Sequence, residues 1–225
     1  MEAEVDRLAR KTLDDLAAKG PGYRYLVGIS GVPGSGKTTL GASVAARINE
    51  FESSQDVDSN VIAHAIPMDG FHHSRAHLAA MPNAQEAIHR RGAAFTFDAE
   101  GFVDLVKRLR GHPNETVFAP SFDHALKDPV ADSIAIPPTA RIVFIEGNYI
   151  ALNRAPWTEA AAIMDRLWYV NTPADVAVAR LAKRHLASGI VADEKEAWER
   201  ASGTDGMNAD DIRANLLPVD EKIEG

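Results

Sequence analysis

Eight consecutive residues have the types and spacing of a phosphate-binding loop. Gly31-Val32-Pro33-Gly34-Ser35-Gly36-Lys37-Thr38 matches the pattern G-x-x-x-x-G-K-[ST] in full, and Thr39 follows it. Glycines let the backbone curl so that its N–H groups converge on phosphate oxygens. The Lys side chain reaches the outer phosphates, and the Thr hydroxyl is a ligand for Mg²⁺. The motif therefore predicts a nucleotide phosphate site in which residues 31–39 hold the phosphates together with Mg²⁺.

Two carboxylates follow predicted strands. Asp69 comes after the apolar segment 61–67, and Glu146 comes directly after segment 141–145. Ligands of open α/β sheets bind outside the carboxyl ends of the strands. Asp69 could there accept a proton from a substrate hydroxyl during phosphoryl transfer, or it could simply be a turn residue. Glu146 could lie near Mg²⁺ or its waters, or it could cap a helix.

Basic side chains on a later predicted helix could complete the site. Arg180 and Arg184 are four residues apart in segment 173–188 and so project from one face of that helix. They would neutralise charge that develops on a transferred phosphoryl group, unless the face is merely solvated. Lys183 is a further candidate on the same helix. The adjacent Arg90 and Arg91 are weaker candidates and are compatible with ordinary surface charge.

A histidine cluster raises the question of a metal site. His73 and His77 have the i, i+4 spacing of a helical zinc pair. The chain has no cysteine, and neither a third ligand nor a supporting shell is evident. Hydrogen bonding of His72 or His73 to a substrate is the favoured interpretation.

Apolar segments that alternate with helical patterns must position these residues. The patterns predict strands at 25–30, 61–67, 116–119, 141–145 and 166–171, and helices at 2–19, 37–50, 99–110 and 173–188. Alternation of this kind predicts an α/β fold with a parallel, doubly wound sheet. Segment 120–140 contains four prolines and is predicted to be a long loop.

Composition excludes several classes of protein. A chain of 225 residues fits a single domain. The 24 Lys and Arg residues against 32 Asp and Glu residues give a formal net charge of −8, which argues against general binding to nucleic acid or anionic membranes. The absence of cysteine excludes disulfides and suits a reducing cytoplasm. No apolar stretch is long enough to span a bilayer, and residues 1–19 lack an apolar signal core.

Five stretches together resemble one family of kinases. They are residues 31–38, Met68-Asp69-Gly70-Phe71-His72, Phe95-Thr96-Phe97-Asp98, residues 122–129 and Ile145-Glu146-Gly147-Asn148-Tyr149. In this combination the chain resembles the phosphoribulokinase, uridine kinase and bacterial pantothenate kinase family. Within that family it is most similar to bacterial kinases assigned to fructose-transport systems. Residues 180–185 add a stretch that is similar to the family's lid.

The resemblance implies a fold and a set of roles. The expected fold is a three-layer α/β/α P-loop NTPase of one domain, residues 1–225, with a mostly parallel five-stranded sheet and a helical lid at about 180–200. ATP and Mg²⁺ are implied as the cofactors. The implied roles are catalytic base for Asp69, metal site for Glu146 with Thr38, acceptor contacts for His72, Asp98 and His124, and lid cations for Arg180 and Arg184. Residues 215–219 resemble the family's last short strand, near the adenine.

The acceptor stays open at this point. His72 and Phe122 stand where uridine kinases carry tyrosines, which weakens a nucleoside assignment and favours a sugar. Uridine or another nucleoside and pantothenate remain alternatives. A nucleotide-binding regulator without an acceptor is the alternative from another class. The resemblance also implies that a homodimer is one expected assembly.

Overall fold

The computed structural model describes residues 2–53, 61–189 and 191–225. Within these ranges the strands are β1 (Tyr25–Gly31), β2 (Ala63–Pro67), β3 (Val117–Asp123), β4 (Asp128–Ile136), β5 (Ile142–Gly147), β6 (Arg166–Asn171) and β7 (Glu221–Glu224). Five of them form one sheet in the order β2-β5-β1-β6-β7, and every neighbouring pair is parallel. β3 and β4 form a separate antiparallel hairpin.

Helices connect these strands. They are α1 (Glu2–Ala17), α2 (Lys37–Ser53), α3 (Arg75–Ala80), α4 (Ala84–His89), α5 (Ala99–Gly111), α6 (Trp157–Ile163), α7 (Ala174–Ala187), α8 (Glu194–Ser202) and α9 (Thr204–Ala214). Short 3₁₀ turns cover Met68–Phe71 and Ala94–Thr96. In the described part of the chain, no helix has both the length and the apolar character needed to cross a membrane.

The alternation of side chains along the strands explains why helices cover both faces of the sheet. Successive side chains of a strand point to opposite faces. In β1, Tyr25 and Val27 pack in one apolar cluster with α1 and α2, whereas Leu26 packs in a second cluster with α5 and α6. The three-layer α/β/α arrangement with a five-stranded parallel sheet is therefore confirmed.

The structure of residues 117–136 differs from two of the predictions. The expected strand 116–119 is part of β3, but it pairs antiparallel with β4 outside the main sheet. The expected loop 120–140 contains most of this hairpin. Pro120 and Pro129 lie within its strands, and both strands of a two-stranded hairpin are edges, which is where a sheet tolerates proline. At Pro120 the register shifts between Ala119 and Ser121.

The fifth strand of the sheet also differs from the expected one. Residues 215–219 do not form the last strand; Leu216 makes only an isolated bridge to Leu152. The last strand is β7, which pairs with β6. Its sequence is too polar to be recognised as a strand, because only Ile223 is buried at this sheet edge.

α7 and α8 pack on one another at the site of the expected lid. Leu181 and Ala182 of α7 contact Ala197 and Ala201 of α8 in a small apolar cluster of their own. The expected region 180–200 includes position 190, which lies outside the described residues. The expected helix 2–19 ends at Ala17, just before Gly20.

Candidate active site

The phosphate-binding motif occupies the turn between β1 and α2. Gly34 and Gly36 have φ angles of +81° and +95°, which L side chains rarely adopt. A β carbon at Gly34 would also collide with the carbonyl oxygen of Ala177 on α7. The glycines therefore allow both the curl of the loop and the close approach of α7.

The polar groups of this turn suit an anion. The first N–H groups of α2 have no partner within the helix, and a helix N-terminus favours negative charge. The Oγ of Ser35 is buried and has no hydrogen-bond partner among the described residues. The hydroxyl of Thr172 donates to the Ser35 carbonyl at 2.9 Å and holds the loop in place. The turn fits the phosphates of a nucleotide.

Glu146 lies beside this loop at the carboxyl end of β5. In the sheet it is level with Ile29 of β1 and Pro67 of β2. The Thr38 hydroxyl donates a hydrogen bond to Glu146 Oε1 at 2.9 Å. Burial raises the pKa of the Glu146 carboxyl, and the charge of Lys37 opposes this shift. A hydroxyl and a carboxylate oxygen are the hard ligands that Mg²⁺ prefers, so the pair fits that ion.

Lys37 begins α2 and shares this edge of the sheet. Burial lowers the pKa of its ammonium, while the charges of Glu146 and Asp69 act to raise it. Arg184 on α7 is close enough for its positive charge to act on both Lys37 and Glu146. The ammonium is thus held in a desolvated position where a triphosphate would gain from its charge.

Asp69 lies on the 3₁₀ turn that directly follows β2. The side chain is half-buried, and its charge acts on both Lys37 and Glu146. A β carbon at the next residue, Gly70, would collide with the carbonyl oxygen of Pro120. The glycine therefore lets the β3–β4 hairpin pack directly against the turn that carries Asp69.

His72 is fixed in one protonation pattern by its neighbours. Its Nδ1 lies 2.8 Å from the carbonyl oxygen of Asp69. Because that oxygen only accepts, Nδ1 donates and the Nε2 of the neutral ring is an acceptor. The ring lies between Phe97 and Phe122, at centroid distances of 4.0 and 4.9 Å. Burial is the main cause that lowers the pKa of His72, which favours the neutral ring.

The hairpin places two further rings next to His72, because Phe122 contacts the His72 ring directly. The exposed His124 packs edge-on against Phe122, with centroids 5.3 Å apart. His73 and His77 stack on one another at 4.0 Å. Among the described residues, no group of three or more His, Asp or Glu side chains is placed to hold a metal ion.

Arg91 makes several contacts with the segments around His72 that its sequence position did not indicate. Its guanidinium lies over the Phe122 ring at 5.4 Å. It donates to the carbonyl oxygens of His73 at 3.0 Å and Lys127 at 2.6 Å, and it pairs with Asp128 at 3.1 Å. Arg91 thus ties together the segments that carry His72 and His124. An adjacent pair of arginines is the only sequence signal, and it does not separate this role from surface charge.

Asp98 lies at the N-terminus of α5, and its backbone N–H donates to the Phe71 carbonyl oxygen at 2.7 Å, next to His72. Its carboxylate accepts a hydrogen bond from the Gly101 N–H at 2.9 Å, as a helix N-cap does. The side chain is exposed, and its charge acts on His73. An acceptor contact for Asp98 stays a prediction.

The two lid arginines project from α7 toward different parts of the loop. The Arg180 Nη1 lies 4.0 Å from the position that a β carbon at Gly36 would take. Arg180 and Thr39 also line a pocket of about 250 Å³ beside the loop, with Val170 and Ile223 on its floor. Arg184 instead acts on Lys37 and Glu146.

A phosphate-binding turn, a parallel sheet and a carboxylate after β2 define a P-loop protein of the kinase type. No family model matches the chain. Over 161 residues it is 56% identical to "ATP-dependent kinase-like protein notR'" of Aspergillus versicolor, covering 70% of this chain and 94% of that one. Over 197 residues it is 43% identical to "Putative uridine kinase C227.14" of Schizosaccharomyces pombe, covering 88% and 81%.

A solved structure extends the likeness to almost the whole chain. The "putative fructose transport system kinase" of Silicibacter sp. TM1040 superposes with a TM-score of 0.83 at 35% identity, covering 97% of this chain and 98% of that one. The chain belongs to the family of P-loop kinases that includes the uridine kinases and phosphoribulokinases.

Proposed function

We propose that the protein is an ATP-dependent kinase that phosphorylates a hydroxyl group of a small metabolite, most simply a sugar. One observation carries the proposal. Asp69 and Lys37 follow β2 and β1, and Glu146 lies at the carboxyl end of β5 between these two strands. The charges of the three side chains act on one another. A base, a metal-binding carboxylate and a phosphate-binding cation therefore meet at one edge, as phosphoryl transfer requires.

The chemistry follows from these positions. The Asp69 carboxylate accepts the proton of the acceptor hydroxyl while that oxygen forms a bond to the γ-phosphorus. The bond from the γ-phosphorus to the β–γ bridging oxygen breaks, and ADP leaves with its electron pair. Lys37 and Arg184 balance the charge on the transferred group. Thr38 and Glu146 would hold Mg²⁺, which supplies charge neutralisation between the β- and γ-phosphates.

The pocket next to the loop is the proposed site for the nucleoside end of ATP. The pocket of about 250 Å³ adjoins Ser35, Gly36 and Thr39, and Arg180 lies at its edge. Together with residues 31–38 these side chains form the proposed nucleotide site. Arg180 would then contact ATP, whereas Arg184 would face the transferred phosphoryl group.

The acceptor pocket favours a ligand that donates hydrogen bonds. Asp69 and the Nε2 of His72 are both acceptors, and the exposed His124 packs on Phe122, which contacts the His72 ring. A polyol such as a hexose offers several hydroxyl donors, in keeping with the name of the Silicibacter kinase. The name of the Schizosaccharomyces relative makes uridine the second candidate.

A panel assay tests the proposal. ADP release would be measured with Mg²⁺ and ATP against fructose, other hexoses, pentoses, nucleosides, pantothenate and glycerate, with Asp69→Asn as the blank. One acceptor that is turned over by the natural protein and not by the variant is the expected result. Activity with uridine alone would replace the sugar by a nucleoside. ATP binding without turnover of any acceptor would contradict the kinase and favour a nucleotide-binding regulator.

A further inference from the structure

We infer that helix α9 couples the lid helix α7 to the acceptor pocket, and that Asn208 is the positioning residue of this connection. The inference rests on the proposed function, because it assigns α7 to the nucleotide and Arg91 to the acceptor pocket. Three consecutive contacts carry it, and each joins different segments of the chain.

The first contact joins α7 to α9. The Nε2 of His185 lies 2.8 Å from an Asp205 carboxylate oxygen, with side chains only 7% and 16% exposed. His185 directly follows Arg184, whose charge reaches Lys37. A shift of α7 toward bound phosphates therefore pulls on the first turn of α9.

The second contact joins α9 to the segment before α5. Asn208 is one turn beyond Asp205 and is only 3% exposed. Its Oδ1 accepts a hydrogen bond from Arg90 Nη2 at 3.2 Å. A β carbon at Gly92 would lie 3.7 Å from Asn208 Nδ2, so the backbone of this segment is also close to the amide. The Tyr149 hydroxyl donates to the Gly92 carbonyl at 2.7 Å and ties the segment to the core.

The third contact joins that segment to the acceptor pocket. Arg91 follows Arg90 directly, and its guanidinium bonds to the backbone of His73 and Lys127 and covers Phe122. A movement of α9 that displaces Arg90 would change the hydrogen bonds of the adjacent Arg91 to His73 and Lys127, on the two sides of the proposed acceptor pocket. The pocket walls thus depend on the position of α9.

Unsatisfied polar atoms concentrate along this path. Buried side-chain nitrogens without a hydrogen-bond partner among the described residues include Nδ1 of His185 and the Nε atoms of Arg90 and Arg91. Native proteins leave few such groups, and each one calls for an explanation. A second arrangement of the same contacts in which these nitrogens gain partners explains all three. Coupling between two sites requires an element with two arrangements of this kind.

Hydrogen exchange tests the coupling without knowledge of the acceptor. Amide exchange would be followed with and without Mg²⁺ and adenylyl imidodiphosphate, a non-hydrolysable ATP analogue. In the natural protein we expect the analogue to slow exchange in residues 31–40 and also, by at least ~fivefold, in residues 72–77 and 90–93. In Asn208→Leu we expect the protection of 31–40 to remain and that of 72–77 and 90–93 to disappear.

Matched variants separate coupling from a loss of structure. Arg90→Met removes the other partner of the same hydrogen bond and should give the same loss. Asn208→Asp keeps an oxygen for Arg90 and should restore the protection. Asp210→Asn changes a side chain of α9 that is 83% exposed and should behave like the natural protein.

Three results would overturn the inference. Protection of 31–40 without any at 72–77 and 90–93 in the natural protein would remove the coupling and leave the kinase proposal intact. Unchanged long-range protection in both Asn208→Leu and Arg90→Met would remove Asn208 from the positioning role. No protection anywhere would instead contradict the nucleotide site, and the coupling with it.

Discussion

The two halves of the site are built in different ways. The phosphate side is formed by one continuous turn, residues 31–38, and by groups at the ends of neighbouring strands in the buried sheet. The acceptor side is assembled from three separate segments, 69–77, 90–97 and 121–128, which side-chain contacts such as those of Arg91 hold together. The backbone determines the geometry of the phosphate side. The geometry of the acceptor side depends on contacts of a few side chains, which substitutions could change.

This difference explains what the sequence could predict. The phosphate side is one continuous segment, so the spacing of its glycines and Lys37 predicts it. The apolar strands predict that Asp69 and Glu146 lie at the same edge of the sheet. The acceptor side depends on long-range packing. Pro120 and the polar residues of β4 make the hairpin segment resemble a loop in the sequence. The spacing of Arg91 does not indicate that its guanidinium lies over the Phe122 ring.

Element boundaries show the same contrast. Buried parallel strands read as apolar runs, and the predicted strand 166–171 matches β6 in full. The edge strand β7 has one buried residue and no such signal, and the resemblance to the kinase family pointed to residues 215–219 for the last strand. The pattern of apolar residues therefore identifies a strand that is buried on both faces, but it does not identify a polar strand at the edge of the sheet.

A large effect is expected when the phosphate side is disrupted. Lys37→Ala removes the ammonium on which the charges of Glu146 and Asp69 act, and which would contact the phosphates in the proposed site. We expect nucleotide affinity and turnover to fall together, with kcat/KM lower by ~10²- to 10³-fold. Calorimetry with the ATP analogue and ADP release would measure both. Lys107→Ala, at a side chain that is 54% exposed, is the control, and unchanged affinity in Lys37→Ala would contradict the role of the loop.

A smaller effect distinguishes the charges on α7. Arg184 and Lys183 are both exposed, but only Arg184 is among the main charges that act on Lys37 and Glu146. We expect Arg184→Ala to lower kcat by ~10²-fold with little change in nucleotide affinity, since the charge matters most in the transition state. Lys183→Ala is the matched control. Equal losses in both variants would show that α7 contributes only general positive charge.

The acceptor side should show its own pH dependence. Burial lowers the pKa of His72 below its ordinary value of about 6.5, so the ring is neutral at pH 7 and gains a proton only on acidification. Protonation turns Nε2 from an acceptor into a donor. With the acceptor that the panel identifies, we expect its KM to rise as pH falls below that value. His72→Gln should flatten this limb, and the same limb in that variant would assign it to another group.

The smallest effect concerns Asp98, whose carboxylate caps α5. We expect Asp98→Ala to lower the free energy of unfolding by ~1 kcal/mol, because the Gly101 N–H loses its partner. Asp98→Asn keeps a capping oxygen and should leave stability nearly unchanged, as chemical denaturation would show. A large rise in acceptor KM in Asp98→Asn would instead establish the predicted acceptor contact.

The most direct measurement compares nucleotide affinity and turnover in Asp69→Asn. Asp69 lies between the two halves of the site, and the substitution removes the base while it preserves the shape of the side chain. We expect the ATP analogue to bind as in the natural protein, by calorimetry, and phosphoryl transfer to the identified acceptor to fall by ~10²- to 10⁴-fold. Near-native transfer by the variant would contradict the assignment of Asp69 as the base.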